Sequence, residues 1–370
     1  MRFHCQVNDL QTALNTATKA ISPRPSATIL EGVLLETCPE GVRLTCSDLS
    51  LGIETLASAT VVDEGRIVLP GKLLAEVIRK LPSDVVDLDI DDNRRTVIRC
   101  AGSRTVLTGF SPEEYPELPR VENEPDVTFV QSDLRDMIQK TNFSVASDES
   151  RPILTGSLLE ADETGLTMVA LDGFRMAICR LKNNAELRNS FRVVIPGKVL
   201  SDLSKILENG EEPVTLSLSP THACFDRSGT RLVARLLEGE FIQYRQILPR
   251  EWQTSVELPV KALEEAIDRA ALIARESKNN LVRFQIDQDR FLITSNAELG
   301  EIREEVTDIR VEGKSLEIAF NVRYLSDILR VVSDTAIRMQ FQNSISPCVI
   351  CPQEGDAYLY LVLPVRIYTA

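Results

Sequence analysis

The sequence predicts an α+β protein in which one module of two helices and roughly eight strands is written three times in 370 residues. Three observations carry this. The stretch IVLPGKLLAEVIRKLP (67–82) recurs as VVIPGKVLSDLSKILE (193–208) and, more diverged, as IAFNVRYLSDILRVVS (318–333). Lys72, Lys198 and Arg323 align in these copies at steps of 126 and 125 residues, a spacing too long for a solenoid unit and right for an independently packed domain. Finally, ILEGVLLE (29–36) is echoed by ILTGSLLE (153–160), and GVRLTCSD (41–48) by GLTMVALD (165–172), at one common offset of 124.

The first domain is expected over 1–121. Arg2 to Val7 reads as a strand, and Asn8 or Asp9 as the cap of a helix with the apolar stripe Leu10, Ala13, Leu14, Ala17 and Ile21. Ser22-Pro-Arg-Pro25 ends that helix, because a proline ring cannot continue it. Strands are expected at 29–36, 42–48 and 51–62. The first copy of the repeated stretch then feeds a helix over 71–82 with the stripe Leu73, Leu74, Val77, Ile78 and Leu81. Strands at 85–90, 95–100 and 104–110 follow, and Ser111 to Pro125, with four prolines, is the linker.

The second domain, 126–250, repeats this order. A strand at 127–130 leads to Ser132 or Asp133 as a cap and to the stripe Leu134, Met137, Ile138 and Thr141. Arg151-Pro152 interrupts where Arg24-Pro25 did, and the second helix carries Val199, Leu200, Leu203, Ile206 and Leu207. The linker, 244–254, contains a Leu-Pro like Leu118-Pro119. The third domain, 255–370, opens with a strand at 256–258 and a helix from Val260 to Ala274. Strands are expected at 281–286, 291–295, 301–306, 316–320, 337–341, 348–351 and 358–364, around a helix striped by Tyr324, Leu325, Ile328, Leu329 and Val332.

With 43% hydrophobic and 26% charged residues the composition is that of an ordinary globular protein. The chain has no apolar run of 18 or more residues, and MRFHCQVNDL lacks a signal peptide's apolar centre, so a cytoplasmic protein without a membrane partner is expected. Eight cysteines fall mostly in strand-like runs and read as reduced, buried thiols. Cys348-Val-Ile-Cys351 has a zinc or redox spacing, yet it has no second pair and no nearby histidine, so neither metal nor any other cofactor is expected.

A net charge of −14 argues against nucleic acid unless the positive charge is localised. Six expected helical segments (7–24, 71–82, 131–151, 197–209, 259–283 and 321–333) hold 17 Lys and Arg against 13 Asp and Glu, which leaves −18 for the remainder. Mildly basic helical segments in an acidic chain suit loose tracking of phosphates rather than base reading.

At this point the residues resemble a known family, the bacterial DNA sliding clamp, beta subunit of the replicative DNA polymerase. The resemblance runs through the three repeats, the [IL]PGK turn, ALDGFRMA (170–177) and LVLPVRI (361–367). It implies a head-to-tail homodimer of three-domain chains, each forming half of a closed ring around duplex DNA. It implies a processivity factor that slides without sequence specificity and tethers the polymerase catalytic subunit, the clamp loader, other polymerases and repair proteins. By alignment, Arg24, Lys72, Arg79, Lys80, Arg151, Lys198 and Lys278 are the expected backbone contacts to DNA.

The resemblance also implies a groove between the second and third domains for short hydrophobic motifs. One wall is Leu154, Leu171, Gly173, Phe174, Arg175 and Met176, with Pro249. The C-terminal side is Pro347, Leu361, Val362, Leu363, Pro364, Val365 and Arg366. Apolar groups with an adaptable Met suit a peptide anchor, and Arg175 or Arg366 is placed to meet a peptide carboxylate or carbonyl. Taken singly, Val362 reads instead as a buried strand end. Phe174 and Pro347 stand where other members carry His and Ser. Leu272 and Ile273, with Glu298, Glu301, Glu304 and Glu305, match the family's apolar and acidic sides of the dimer contact.

An enzyme is not expected. His4 and His222 are the only histidines, and no nucleophile arrangement, phosphate loop or zincin spacing accompanies them. Asp172 beside Arg175 looks like a catalytic pair, but its equivalent Asp48 lacks the Gly-Phe-Arg context, which suits a groove built once. The rival reading is a three-domain scaffold that binds proteins without encircling DNA.

Overall fold

The computed structural model describes residues 1–121, 123–182, 186–277 and 279–366. The first repeat runs β1 (Arg2–Gln6), α1 (Val7–Ala17), β2 (Gly32–Cys38), β3 (Gly41–Ser47), β4 (Leu51–Ser58), β5 (Thr60–Asp63), β6 (Arg66–Pro70), α2 (Gly71–Arg79), β7 (Val85–Ile90), β8 (Arg95–Cys100) and β9 (Ser103–Thr108). The second runs β10 (Val127–Val130), α3 (Gln131–Thr141), β11 (Gly156–Asp162), β12 (Gly165–Leu171), β13 (Arg175–Leu181), β14 (Glu186–Leu187), β15 (Phe191–Pro196), α4 (Gly197–Ser204), β16 (Pro213–Leu218), β17 (His222–Arg227) and β18 (Thr230–Arg235). The third runs β19 (Thr254–Pro259), α5 (Val260–Ala274), β20 (Leu281–Asp287), β21 (Arg290–Ala297), β22 (Gly300–Val306), β23 (Arg310–Gly313), β24 (Leu316–Asn321), α6 (Val322–Leu329), β25 (Ala336–Phe341), β26 (Cys348–Pro352) and β27 (Tyr358–Val362). Among the described residues each repeat therefore has two α-helices and nine strands, one strand more than expected.

The chain divides into two compact units, one of residues 1–131, 186–188 and 205–236, the other of residues 132–185, 189–204 and 237–370. The first holds a five-stranded sheet, β5-β1-β7-β8-β9, and a nine-stranded sheet, β14-β10-β16-β17-β18-β4-β3-β2-β6. The second holds the nine-stranded sheet β15-β11-β12-β13-β27-β26-β25-β19-β23 and the four-stranded sheet β22-β21-β20-β24. Each nine-stranded sheet is a composite of five strands from one repeat and four from the repeat before it. The seams are antiparallel: β18 lies on β4, with Val233 opposite Gly52, and β27 lies on β13, with Leu361 opposite Met176. The five- and four-stranded sheets are the same two halves without a seam, and they end on β9 and β22.

The first helix of each repeat starts with the same backbone contact, and α1 lacks the side-chain cap expected of it. No side chain of Asn8 or Asp9 caps α1, which starts directly after β1. Instead the first helical N–H of Val7, Gln131 and Val260 donates to the carbonyl of Asp84, Glu212 and Thr335, each at 3.0 Å, from the turn that leads into β7, β16 and β25. A neighbouring strand end thus meets the orphan donor that a Ser or Asp side chain would otherwise satisfy.

The helical stripes are buried, or half-buried at Val77, Leu81, Ile206 and Tyr324, except for Leu73, which is 51% exposed because α2 turns only Leu74 and Ile78 fully inward. Apart from α5, which has its expected extent, the helices are shorter than the periodicity suggests, and 28–31 and 152–155 form 3-10 turns. Ala59 separates β4 from β5 within the single strand expected over 51–62. Shorter helices change the charge map. The six helices proper hold 8 Lys and Arg against 9 Asp and Glu, so the surplus of positive charge lies in the turns flanking them.

Tyr115, 6% exposed, ties the first linker to the sheet: its hydroxyl accepts from Ser47 N at 3.0 Å and donates to Gly32 O at 3.3 Å. Tyr115→Phe leaves a buried N–H unmet, so calorimetry should show a loss of about 1–3 kcal/mol.

Candidate functional site

ALDGFRMA folds as the end of β12, a tight turn and the start of β13. Asp172 Oδ1 accepts from Phe174 N at 2.9 Å and Arg175 N at 3.0 Å, an Asx turn that here has a left-handed residue in its middle. Gly173 supplies it at φ +93°. The turn leaves Phe174 59% exposed and stacked on Tyr324 of α6, with ring centroids 6.3 Å apart. Phe174 O accepts from Leu363 N at 2.8 Å, which anchors the chain just after β27.

Below the turn lies a cluster of apolar side chains. Leu154, Leu171, Met176 and Leu361 belong to it, with Leu158, Phe241, Tyr244 and Val349. Strand alternation decides membership. Leu359 and Leu361 of β27 face this cluster, whereas Tyr358, Tyr360 and Val362 face the core of the third repeat. Val362 is thus a buried strand residue on the opposite face. Around the cluster, Pro249, Pro347, Pro364 and Val365 are half-buried, and Leu363 and Arg366 are exposed.

Arg175 differs from expectation. Its side chain is 11% exposed, and each guanidinium nitrogen is engaged: Nε with Asp172 Oδ2 at 3.0 Å, Nη1 with Asp327 Oδ2 at 2.6 Å, and Nη2 with Phe143 O at 2.7 Å. The cation also lies 4.8 Å from the Tyr324 ring centre and 5.4 Å from that of Phe143. Three of its five N–H donors are thus committed, and the fork holds α6 against the turn.

Several residues at this site were missed by sequence reasoning. Ile242, Leu248 and Trp252 pack on the cluster from the second linker, and Ile247 is 43% exposed beside them. The apolar content of FIQYRQILPREW was the available signal. Phe143, Tyr324 and Asp327 come from other elements, and nothing local to ALDGFRMA points to them.

The seam between β4 and β18 repeats the backbone without the cluster. Asp48 Oδ1 accepts from Ser50 N at 3.1 Å and Leu51 N at 2.8 Å, and Ser50 O accepts from Arg235 N at 2.9 Å. At the place of Met176 stands Gly52, and a side chain there would meet Leu118 Cδ2 at 2.3 Å. The first linker's own leucine fills the space.

The expected basic residues fall in both units. Arg24, Lys72, Lys80, Arg151 and Lys198 are exposed, with Lys72 and Lys198 one residue inside α2 and α4. Arg79 is exposed but pairs with Glu76. Lys278 lies outside the described residues.

At the other candidate surface Leu272 is 64% exposed, Ile273 half-buried, and Glu298, Glu301 and Glu305 exposed. Glu304 pairs with Arg269 at 2.7 Å and its side chain is 18% exposed. Leu299, 81% exposed in the turn before β22, was missed.

Cys348 and Cys351 lie three apart on β26, so they point to opposite faces and cannot grip one ion. Burial pushes both thiols up. Among the described residues there is no group of three or more His, Cys, Asp or Glu able to hold a metal, and no helix long and apolar enough to cross a membrane.

Comparison with known proteins agrees along the whole length. Sequence models of the N-terminal, central and C-terminal domains of the DNA polymerase III beta subunit match residues 1–119, 128–243 and 245–366. The chain belongs to this family, the bacterial sliding clamps. It is 36% identical over 368 residues to the beta sliding clamp of Halalkalibacterium halodurans, covering 96% of this chain and 97% of that one. The crystal structure of the DNA polymerase sliding clamp from Bacillus subtilis superposes with a TM-score of 0.95 at 32% identity, covering 100% of both chains. That of a putative DNA polymerase III beta subunit from Eubacterium rectale gives 0.94 at 33% identity, over 99% of this chain and 100% of the other. The triple α+β repeat is thus a sliding-clamp fold.

Removing the Arg175 fork leaves Asp172 and Asp327 facing each other without their cation. Arg175→Ala should lower unfolding stability by about 2–4 kcal/mol, and Arg175→Lys, which keeps charge but not the fork, should fall between, as read by chemical denaturation.

Proposed function

We propose that this clamp-family chain works as a DNA polymerase processivity factor, two copies closing head to tail into a ring around duplex DNA. The observation that carries the dimer is the strand order. Every composite sheet joins the ninth strand of one repeat to the fourth of the repeat before. β9 and β22 are the ninth and fourth strands left at sheet edges, and an exposed edge is a template for another chain. Pairing β9 of one copy with β22 of another completes a third nine-stranded sheet. In the register of the existing seams Val106 would face Glu301, and Thr108 N would meet Leu299 O. Leu272 and Leu299 are the exposed apolar groups near that edge, and Gly300 lies 3.9 Å from the Ile273 side chain at the position a Cβ would take. Two such joints close the assembly with point symmetry rather than a filament.

The scattered cations in the helix-flanking turns, Arg24, Lys80 and Arg151 among them, suit water-separated phosphate contacts that hold DNA without arresting it. The net charge of −14 over the whole chain disfavours DNA on its acidic surfaces. The apolar cluster under the Phe174 turn takes the hydrophobic motifs of the polymerase catalytic subunit, the clamp loader, and other polymerases and repair proteins. The chain itself catalyses no reaction and acts in the cytoplasm, where the chromosome is.

Light scattering should give a mass near twice 41.2 kDa, and Leu272→Asp, which places a charge in the joint without touching the core, should return it to 41.2 kDa. A wild-type monomer would sink the ring. Retention on circular but not linear DNA is expected, whereas retention on neither would leave a scaffold that binds only proteins. Met176→Ala with Leu361→Ala should weaken a polymerase motif peptide by about tenfold or more while the dimer persists.

A further inference from the structure

Where β11 meets the second linker lies a carboxylate that none of the surfaces above uses. Glu160, 8% exposed, sits opposite Arg192 of β15, on the face of β11 that carries Leu158 of the apolar cluster. A carboxylate so buried must be surrounded by donors. It has three: the Tyr244 hydroxyl at 2.8 Å, Arg245 Nη2 at 2.9 Å and Arg192 Nε at 3.2 Å. Arg245 also lies 4.8 Å from the Tyr244 ring centre. Burial and the neighbouring carboxylate push the Tyr244 phenol up, so it stays a donor at any physiological pH.

Two of the three donors belong to the linker. The residues beside them, Phe241, Ile242 and Leu248, pack on the cluster that contains Met176 and Leu361. The segment fastened at Glu160 is thus one wall of the apolar site. Repeat one supplies a comparison. The equivalent of Glu160 is Glu36, which faces Arg66 across β2 and β6 and keeps that ion pair at 3.8 Å. Its side chain is 35% exposed, and the tyrosine of its linker, Tyr115, bonds to backbone at Ser47 and Gly32 instead. The strand-to-strand pair is common to both repeats. The first linker also reaches that pair, through the exposed Glu113 to Arg66 at 3.7 Å, but a buried linker bond to the carboxylate itself occurs where the apolar cluster is.

We infer that Glu160 is a positioning residue for partner binding, holding Tyr244 and Arg245 so that the linker wall stands ready for a hydrophobic peptide. This rests on the peptide-site reading given above. A preset wall lowers the ordering cost of binding, so loss of the fastening should appear as faster peptide release. The test uses the intact chain and a fluorescein-labelled peptide carrying the polymerase's apolar motif, with affinity and dissociation rate read by anisotropy. Glu160→Leu should weaken binding about tenfold, mostly through release, while hydrogen exchange quickens at 241–248 and not in β12. Glu160→Gln, which keeps an acceptor for Tyr244, should recover most of the affinity. Tyr244→Phe, which changes one atom, should cost about threefold and covers the case in which Glu160→Leu does not fold. Wild-type affinity in both Glu160→Leu and Tyr244→Phe overturns the inference. Failure of the wild-type chain to bind the peptide overturns the site reading, and the inference with it.

Discussion

Backbone pairing at the seams is the constraint on which the molecule depends. A strand edge with unpaired N–H and C=O groups must be covered or it recruits another chain. Each repeat here has two half-sheets, and neither is complete within its own repeat. The chain resolves this by lending the ninth strand of each repeat to the fourth strand of the one before, so that repeats are joined by ladders of hydrogen bonds rather than by side-chain contact alone. The same arrangement leaves one edge of each kind, β9 and β22, unserved among the described residues.

The seams share a backbone but differ in what they present. An Asx turn at Asp48 or Asp172 and a carbonyl that receives the strand after the seam recur almost unchanged. The side chains then diverge. Gly52 lets Leu118 of the linker lie flat on the strand, so that site is filled from within. Met176 occupies the corresponding place in the second repeat, and there the chain around Tyr244, which is bonded to Glu160, packs into the apolar cluster. One duplicated scaffold thus yields a joint filled by Leu118 and a joint built on a larger apolar cluster, because the two positions differ in side-chain volume.

Charge follows a similar division. The helices are neutral to within one charge, and the excess of Lys and Arg sits at their ends, on side chains long enough to reach outward from a turn. Such placement favours mobile, solvent-separated contact with phosphates over fixed salt bridges, in keeping with a protein that must hold its substrate and still move along it. Sequence windows drawn wider than the helices credited this charge to the helices themselves.

Much of the architecture was legible in one dimension. The period near 125, the order of strands and helices within it, the apolar stripes and the exact extent of α5 follow from local rules: side-chain periodicity, the inability of proline to continue a helix, and turn chemistry. What the sequence could not show was anything set by a partner distant along the chain. The carbonyls of Asp84, Glu212 and Thr335 meet the first N–H groups of α1, α3 and α5, Asp327 and Phe143 engage the Arg175 fork, Arg269 pairs with Glu304, and alternation along β27 separates Leu361 from Val362. Local residues determine which elements form and which of their faces are apolar. Only the tertiary structure decides which polar groups are already engaged, because a hydrogen bond depends on atoms within about 3 Å of each other and not on their separation in sequence.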